Sequence, residues 1–393
     1  MPGRRMFSTS TALAALLLAG CTVGPHGERF PTAGCARHRS GTAAADQSGP
    51  PTPWPERRAE PPGMAMALSD QAVDPVAQSA YALVSRTLEP IRGPYVLECV
   101  DLRTGLVRKG PVFRAPYLAL ASDYLWVYGR LGPGVRGSVS QVDLRSLRVI
   151  RSIHLPGTLP AAYPTIHLTA GPGHSVWIGS VHARQAATLS RLDTRTGMIL
   201  ATARLPAKMA ASDLADDPAR EHLYVSAAYM VRGGTEGNAV LEYDARSGRL
   251  LTDASRGLVT YSVAGSALTA VPGGVWVSFR TGMLGLTLHL RQPDLAMVAP
   301  PGPNIAQSPA TSLFHWAMYA ATGYGGGALW LTNQAGIVAC IDPRTGKPRA
   351  IERLRQGQLI FQLLAADPAS RQLYASDSRG LVAITPPPSC WRG

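Results

Sequence analysis

A turn led by aspartate recurs along this chain at intervals of 42 to 51 residues, and no other feature restricts the fold as much. The copies read DLRTG from Asp101, DLRSL from Asp143, DTRTG from Asp193, DARSG from Asp244, PDLAM around Asp294 and DPRTG from Asp342, with a degenerate ITPPP after Ile384. Most have an aromatic residue upstream inside a short apolar run: Trp126, Trp177, Tyr224, Trp276, Trp330 and, in the last copy, Tyr374. Four strands fit one interval, as at Tyr117 to Ala121, Leu125 to Tyr128, Ser138 to Leu144 and Val149 to Leu155. That is the period of a β-propeller blade. The aspartate turn joins third strand to fourth: the carboxylate accepts amide N–H groups two residues on, and Gly105, Gly197, Gly248 and Gly346 sit where the hairpin needs a positive φ. The fold class expected is therefore all-β, a β-propeller with seven blades, six being the rival count. The first copy lacks a clear inner strand and the last an outer one. The strands near Tyr95 to Phe113 are expected beside the C-terminal ones, because closure removes open sheet edges.

Composition agrees with a large all-β chain: 46% hydrophobic, 16% charged, with 40 Gly and 33 Pro supplying turns. The net charge of +13 raises nucleic acid as a partner. Arginine is scattered among apolar strands with no basic run or basic helix, so no nucleic-acid partner is expected.

The N-terminus assigns a compartment. Arg4 and Arg5 precede the apolar run Leu13 to Leu18, which ends on Leu18-Ala19-Gly20-Cys21. That tetrad resembles a bacterial lipobox, which implies a signal peptide over residues 1–21 and a diacyl anchor on the Cys21 thiol, placing the protein extracytoplasmically on a membrane of the cell envelope. Loss of Arg4 and Arg5 leaves +13 − 2 = +11. Residues 22–78 read as a Pro-rich tether, with GPPTPWPERRAEPPG near its end. Residues 70–89 allow a short helix after Asp74-Pro75 or, at YALVS, an imperfect blade strand; the helix is the reading taken. The propeller domain is set at 79–393.

The repeats LWLTNQAGIVACIDPRTG and TLSRLDTRTGMILATARL resemble those of bacterial YVTN-type and streptogramin-lyase-like propellers, over residues 95–385. The resemblance implies blades. Activity does not follow from it, since that fold hosts binding proteins, lyases, lactonases and quinoproteins. Lyases of the group carry an acidic residue just after the aromatic strand and a metal-binding His and Glu set. Here those places read Tyr128, Gly179, Phe279 and Asn333, so the lyase ligands do not carry over.

No HExxH, CxxC, Walker or GxSxG spacing occurs. Gly323 to Ala328 matches a loose GxGxxA but leads into a strand, which makes it a turn and not a phosphate loop. His167, His174 and His182 are spaced unsuitably for one metal, and neither metal nor cofactor is expected. Trp126, Trp177, Trp276 and Trp330 read as blade-to-blade packing. Lipidation of Cys21 leaves Cys35, Cys99, Cys340 and Cys390, which allow three pairings. Cys99 and Cys340 occupy equivalent sites in different repeats and cannot easily meet. A Cys99–Cys390 disulfide at the ring closure is the expected one.

In a propeller the loops from second to third strand, and from outer to next inner strand, open on one face, opposite the aspartate turns. Length variation falls in that set, at GRLGPGVRG, AAYMVRGGTEGN and APPGPNIAQSPATSLFHWAM. Arg130, Arg184, Arg232 and Arg280 follow the aromatic strand in four successive blades, and Arg offers a planar fork for carboxylate or phosphate. The function expected is a lipid-anchored module that binds an acidic glycan, a phosphate polymer or a protein through this loop face. The alternative is a propeller lyase, lactonase-type hydrolase or quinoprotein with its site in the central funnel.

Overall fold

Alternation of apolar strands with turn residues builds seven antiparallel sheets of four strands each. The computed structural model describes residues 55–58, 71–85, 94–113, 117–128, 136–158, 168–180, 187–207, 209–231, 234–253, 266–281, 284–297, 320–333, 337–353, 360–377 and 380–391. The first strand, β1 (Glu56–Arg58), belongs to the last sheet. Blade one holds β2 (Gln71–Asp74), β3 (Ser79–Ser85), β4 (Tyr95–Asp101) and β5 (Val107–Phe113); blade two holds β6 (Tyr117–Ala121), β7 (Tyr124–Tyr128), β8 (Arg136–Asp143) and β9 (Val149–Thr158). Blade three runs through β10 (Leu168–Gly171), β11 (Ser175–Ser180), β12 (Thr188–Asp193) and β13 (Ile199–Arg204), and blade four through β14 (Met209–Asp217), β15 (His222–Val231), β16 (Gly234–Asp244) and β17 (Leu250–Asp253). Blade five has β18 (Ser266–Val271), β19 (Gly274–Thr281), β20 (Leu284–Arg291) and the short β21 (Ala296–Met297). Blade six has β22 (Ala320–Gly325), β23 (Ala328–Asn333), β24 (Ile337–Ile341) and β25 (Pro348–Arg353), and blade seven β26 (Ile360–Asp367), β27 (Gln372–Asp377) and β28 (Gly380–Ile384).

Burial falls off outward through each sheet. The middle strands β4 and β7 are buried almost continuously, whereas the outer strand β13 is exposed at four of its six positions. A strand covered on both faces reads as an unbroken apolar run, and only the outer edge meets water. The core is divided into one apolar cluster at each blade junction, and the second strand of each blade supplies one aromatic to it. Tyr81 serves blades one and two, Trp126 two and three, Trp177 three and four, and Tyr224 four and five. Trp276 serves five and six, Trp330 six and seven, and Tyr374 packs against Val100 and Leu102 across the junction of blades seven and one. Seven junctions close the ring, which removes the six-blade count. The four tryptophans are packing residues, as their spacing predicts.

The aspartate turns fold as expected. Asp193 Oδ1 accepts the amides of Arg195 at 2.8 Å and Thr196 at 2.7 Å, and Asp342 does the same for Arg344 and Thr345. Gly105, Gly197, Gly248 and Gly346 take φ of 71°, 76°, 73° and 68° there, and Leu147 fills the same place at 57°. Partial burial pushes the Asp342 carboxyl up, but hydrogen bonds from Arg349 and the turn groups outweigh it and leave the pKa lowered to about 2.

Three expectations are corrected. Residues 70–89 carry no helix among the described positions: Pro75 and Gln78 lie in a turn between β2 and β3, where the Asp74 carboxylate accepts the Ala77 amide. Helical spacing lost to the alternation of Tyr81 and Leu83, which are fully buried between blades. The missing inner strand of blade one is thus β2, and the fourth strand of blade seven is β1, paired Glu56↔Ile384, Arg57↔Ala383 and Arg58↔Val382. The stretch expected as tether to residue 78 therefore contributes two blade strands. Blade one does lie beside blade seven, but hydrogen-bonded closure comes from Glu56–Arg58 and not from Tyr95 to Phe113. Finally, the disulfide is Cys340–Cys390, with Cα atoms 5.7 Å apart. After β28 the chain enters a 3-10 turn, Pro388–Trp391, that packs on blade six, with Trp391 5.0 Å from Trp330. That route carries Cys390 to β24 and away from Cys99, which is in a disulfide of its own.

Candidate functional site

Antiparallel order puts the turns from first to second strand and from third to fourth on one face of the ring, and the other connections on the opposite face. Arg130, Arg184 and Arg232 lie outside the described residues, as do Cys21 and Cys35. Arg280 is in β19, opposite Gly285 in the ladder and next to its last residue, Thr281. The structure changes the reading of two of these places. The described part of AAYMVRGGTEGN is not an irregular loop: β15 and β16 stay paired from His222↔Asp244 to Val231↔Gly234. Likewise β19 and β20 pair out to Thr281↔Leu284. In blade two the described pairing of β7 with β8 reaches Tyr128↔Val139.

The buried polar groups of the described residues serve the ring. Thr169 Oγ1 donates to Asp216 Oδ1 at 2.7 Å across blades three and four, and Asp213 Oδ2 accepts the Leu268 amide at 2.7 Å across four and five. Gln141 donates to the Thr194 carbonyl at 2.6 Å across two and three. Glu242 Oε1 takes the Tyr224 hydroxyl at 3.0 Å and lies 2.8 Å from His222 Nδ1; burial and the neighbouring carboxylate push the Tyr224 hydroxyl up, so it stays a donor. Burial likewise raises the Asp74 carboxyl, with Asp123 and Asp367 adding to it. Each pair spans or braces a junction, which is the work of a polar group held between sheets. Among the described residues no group of three or more His, Cys, Asp or Glu is arranged to hold a metal ion. His174 sits on the face of the aspartate turns, 2.5 Å from Arg195 Nη2; His167 and His182 are outside the described residues. The GxGxxA stretch is the turn between β22 and β23, with Gly326 and Gly327 at positive φ.

Seven closed junctions decide the architecture. The chain is a seven-bladed β-propeller. Solved structures agree: it is similar to BamB from Moraxella catarrhalis, at 14% identity and a TM-score of 0.53, over 85% of this chain and 98% of that one. It is similar to a chain of a mitotic checkpoint complex, at 12% identity and a TM-score of 0.57, over 90% and 99%. A third likeness is to Kuenenia stuttgartiensis hydrazine synthase, at 14% identity and 0.54, over 80% and 94%. No protein-family model matches the sequence, and no curated protein sequence does either. Identities this low establish the fold alone.

Sequence reasoning passed over the opposite face. The turn itself places an exposed Arg two residues after its aspartate in five blades, at Arg103, Arg145, Arg195, Arg246 and Arg344. The carboxylates of these turns accept amides of their own turns, while the guanidinium groups extend outward and Arg246 pairs with Glu221. The signal was in the repeat, two letters after the residue used to define it.

Proposed function

We infer that this propeller is a binding module of the cell envelope, anchored through lipid on Cys21, which holds an anionic partner on the face opposite the aspartate turns. The partner is an acidic protein patch, an acidic glycan or a phosphate polymer. The observation that carries this reading is the pairing of the β15–β16 and β19–β20 hairpins out to Val231↔Gly234 and Thr281↔Leu284, which puts Arg280 one residue from the end of its strand on the loop face, while Arg232 follows Val231 in the sequence. Arg130 and Arg184 follow the second strands of blades two and three, whose ends point to that same face. Several Arg on one rim suit a multivalent anion, since single exposed pairs contribute little. One solved likeness belongs to a checkpoint complex, an assembly, which is in keeping with a binding role. The kinship to YVTN-type and streptogramin-lyase-like repeats is part of the same proposal, resting on the aromatic strand and aspartate turn.

The test measures binding to inorganic polyphosphate, acidic glycans and cross-linked envelope proteins. Affinity should fall steeply with salt. Reversing Arg232 and Arg280 to Glu should weaken binding more than reversing Arg195 and Arg344 on the other face. Equal losses would leave only net charge as the cause, and binding indifferent to salt would remove the reading. For the anchor, mass spectrometry should find lipid on Cys21, and a chain starting at Thr22 should leave the membrane fraction.

A further inference from the structure

The large hydrophobic side chains left exposed among the described residues all fall on blades one to four. Most follow an aspartate turn directly: Leu106 is 61% exposed, Val149 41%, Met198 65%, Leu200 48% and Leu250 40%, each within seven residues of its turn's Asp. Val76 stands on the same face, in the turn between β2 and β3. Exposed Arg alternates with them, at Arg103, Arg145, Arg148, Arg195 and Arg249, while Arg246 pairs with Glu221. The carboxylates of this sector include Glu221, paired with Arg246, and the half-buried Asp143, Asp193, Asp217 and Asp244, which accept amides of their own turns, while the exposed Asp294 is in blade five. Val112, 61% exposed, lies at the far end of β5 and outside this group. Scattered exposed apolar residues need no explanation, but apolar and cationic side chains gathered on one sector of one face do.

The chain itself adds an independent observation. β1 runs antiparallel to β28 and begins at Glu56 opposite Ile384, with the Pro55 carbonyl accepting the Thr385 amide. Ile384 is the end of β28 that lies on the aspartate-turn side. The described chain therefore begins, at Pro55, on this face of the ring.

We propose that the aspartate-turn face of blades one to four is a docking surface for an anionic lipid bilayer. Arg guanidinium groups sit at the headgroup phosphates, and Leu106, Val149, Met198 and Leu200 enter the boundary between headgroups and acyl chains, as on an interfacial amphipathic surface. The loop face then points away from the bilayer, where a partner can reach it. The inference relies on the lipid-anchored reading only for what the N-terminal segment leads to. A lipid chain combined with a basic patch gives firmer membrane residence than either alone.

The experiment uses the chain starting at Thr22, which keeps every strand of the ring and lacks the lipidated cysteine. Co-sedimentation with vesicles of phosphatidylcholine and phosphatidylglycerol should capture it at low salt, and vesicles of phosphatidylcholine alone should not. The pair Leu106→Glu with Met198→Glu, and separately Arg145→Gln with Arg148→Gln, should each lower partitioning by about tenfold, with thermal midpoints confirming that both variants fold. Arg344→Gln with Arg371→Gln, on the same face but in blades six and seven, should leave partitioning unchanged. The proposal is overturned by any of four results: no capture by anionic vesicles, equal capture of all variants, equal loss from the pair in blades six and seven, or sedimentation velocity showing that Leu106→Glu with Met198→Glu splits a dimer. Because no lipidated residue is present, these outcomes are independent of whether Cys21 carries an anchor.

Discussion

The Trp177 indole Nε1 donates a hydrogen bond to the Ala245 carbonyl, 2.9 Å away, across the junction of blades three and four. Trp276 makes the same kind of bond to Pro343 of blade six, whereas Trp126 bonds to Ala121 within its own blade. One aromatic position in the repeat thus does two jobs. Trp177→Phe keeps most of the ring and deletes the bond, and should lower stability by about 1 kcal/mol or somewhat more. Trp177→Ala also opens a cavity and should cost about 3–5 kcal/mol. Urea unfolding of both variants measures this, and equal losses from the two would contradict it.

Gly248 closes the aspartate turn of blade four at φ 73°, and a Cβ there would stand 3.0 Å from the Trp177 ring and 3.1 Å from the Ala203 side chain. Gly173 has nearly the same φ, 67°, and open space around it. Both Ala substitutions incur the left-handed backbone penalty of about 1–2 kcal/mol. Gly248→Ala should lose more, because the neighbouring blade has to yield as well, and paired thermal melts would show it.

Removing residues through Arg58 should leave blade seven with three strands and β28 as an open edge. Exposed edges pair with other chains. The shortened protein is expected to melt earlier and to elute as larger species on size exclusion. A monomer with an unchanged midpoint would show that β1 does not hold the ring shut.

Cys390→Ser releases a loop of 50 residues closed by the bond to Cys340. Chain entropy sets the loss at about 4 kcal/mol, before relaxation of the native state. Non-reducing peptide mapping should recover Cys340 joined to Cys390 in the parent protein.

His289 lies flat against Trp276, ring centroids 4.7 Å apart, and its buried Nε2 has no hydrogen-bond partner among the described residues. Burial lowers its pKa from the ordinary value of 6.5. The unfolded chain therefore takes up this proton at higher pH than the folded one. The contribution to stability is full above that value and is lost as the pH falls through the lowered folded value. Melting temperature should drop more steeply on acidification in the parent than in His289→Phe, and parallel curves would rule the residue out.

Local chemistry wrote the blades into the sequence. An Asp that accepts amides two and three residues on and a residue at positive φ are legible without neighbours, because their partners are close in the chain, and an aromatic recurring in a short apolar run marks a strand covered on both faces whatever it packs on. Trp126, Trp177, Trp276 and Trp330 could be assigned to packing for that reason. Tyr81 was not, because the first repeat offers no upstream turn to count from and Asp74-Pro75 also suits a helix start. What tertiary structure alone decided depends on residues far apart in sequence. Glu56 reads as tether until Ile384 lies opposite it, and Cys390 reads as a clasp for Cys99 until the last turn carries it to Cys340. The loop face was located from turn order, yet the length of its hairpins was not, since AAYMVRGGTEGN shows no strand alternation and is held extended by its pairing. Sequence periodicity reports contacts within a blade; ring closure, disulfide choice and the sharing of one face by Leu106, Arg145 and Met198 arise only when blades meet.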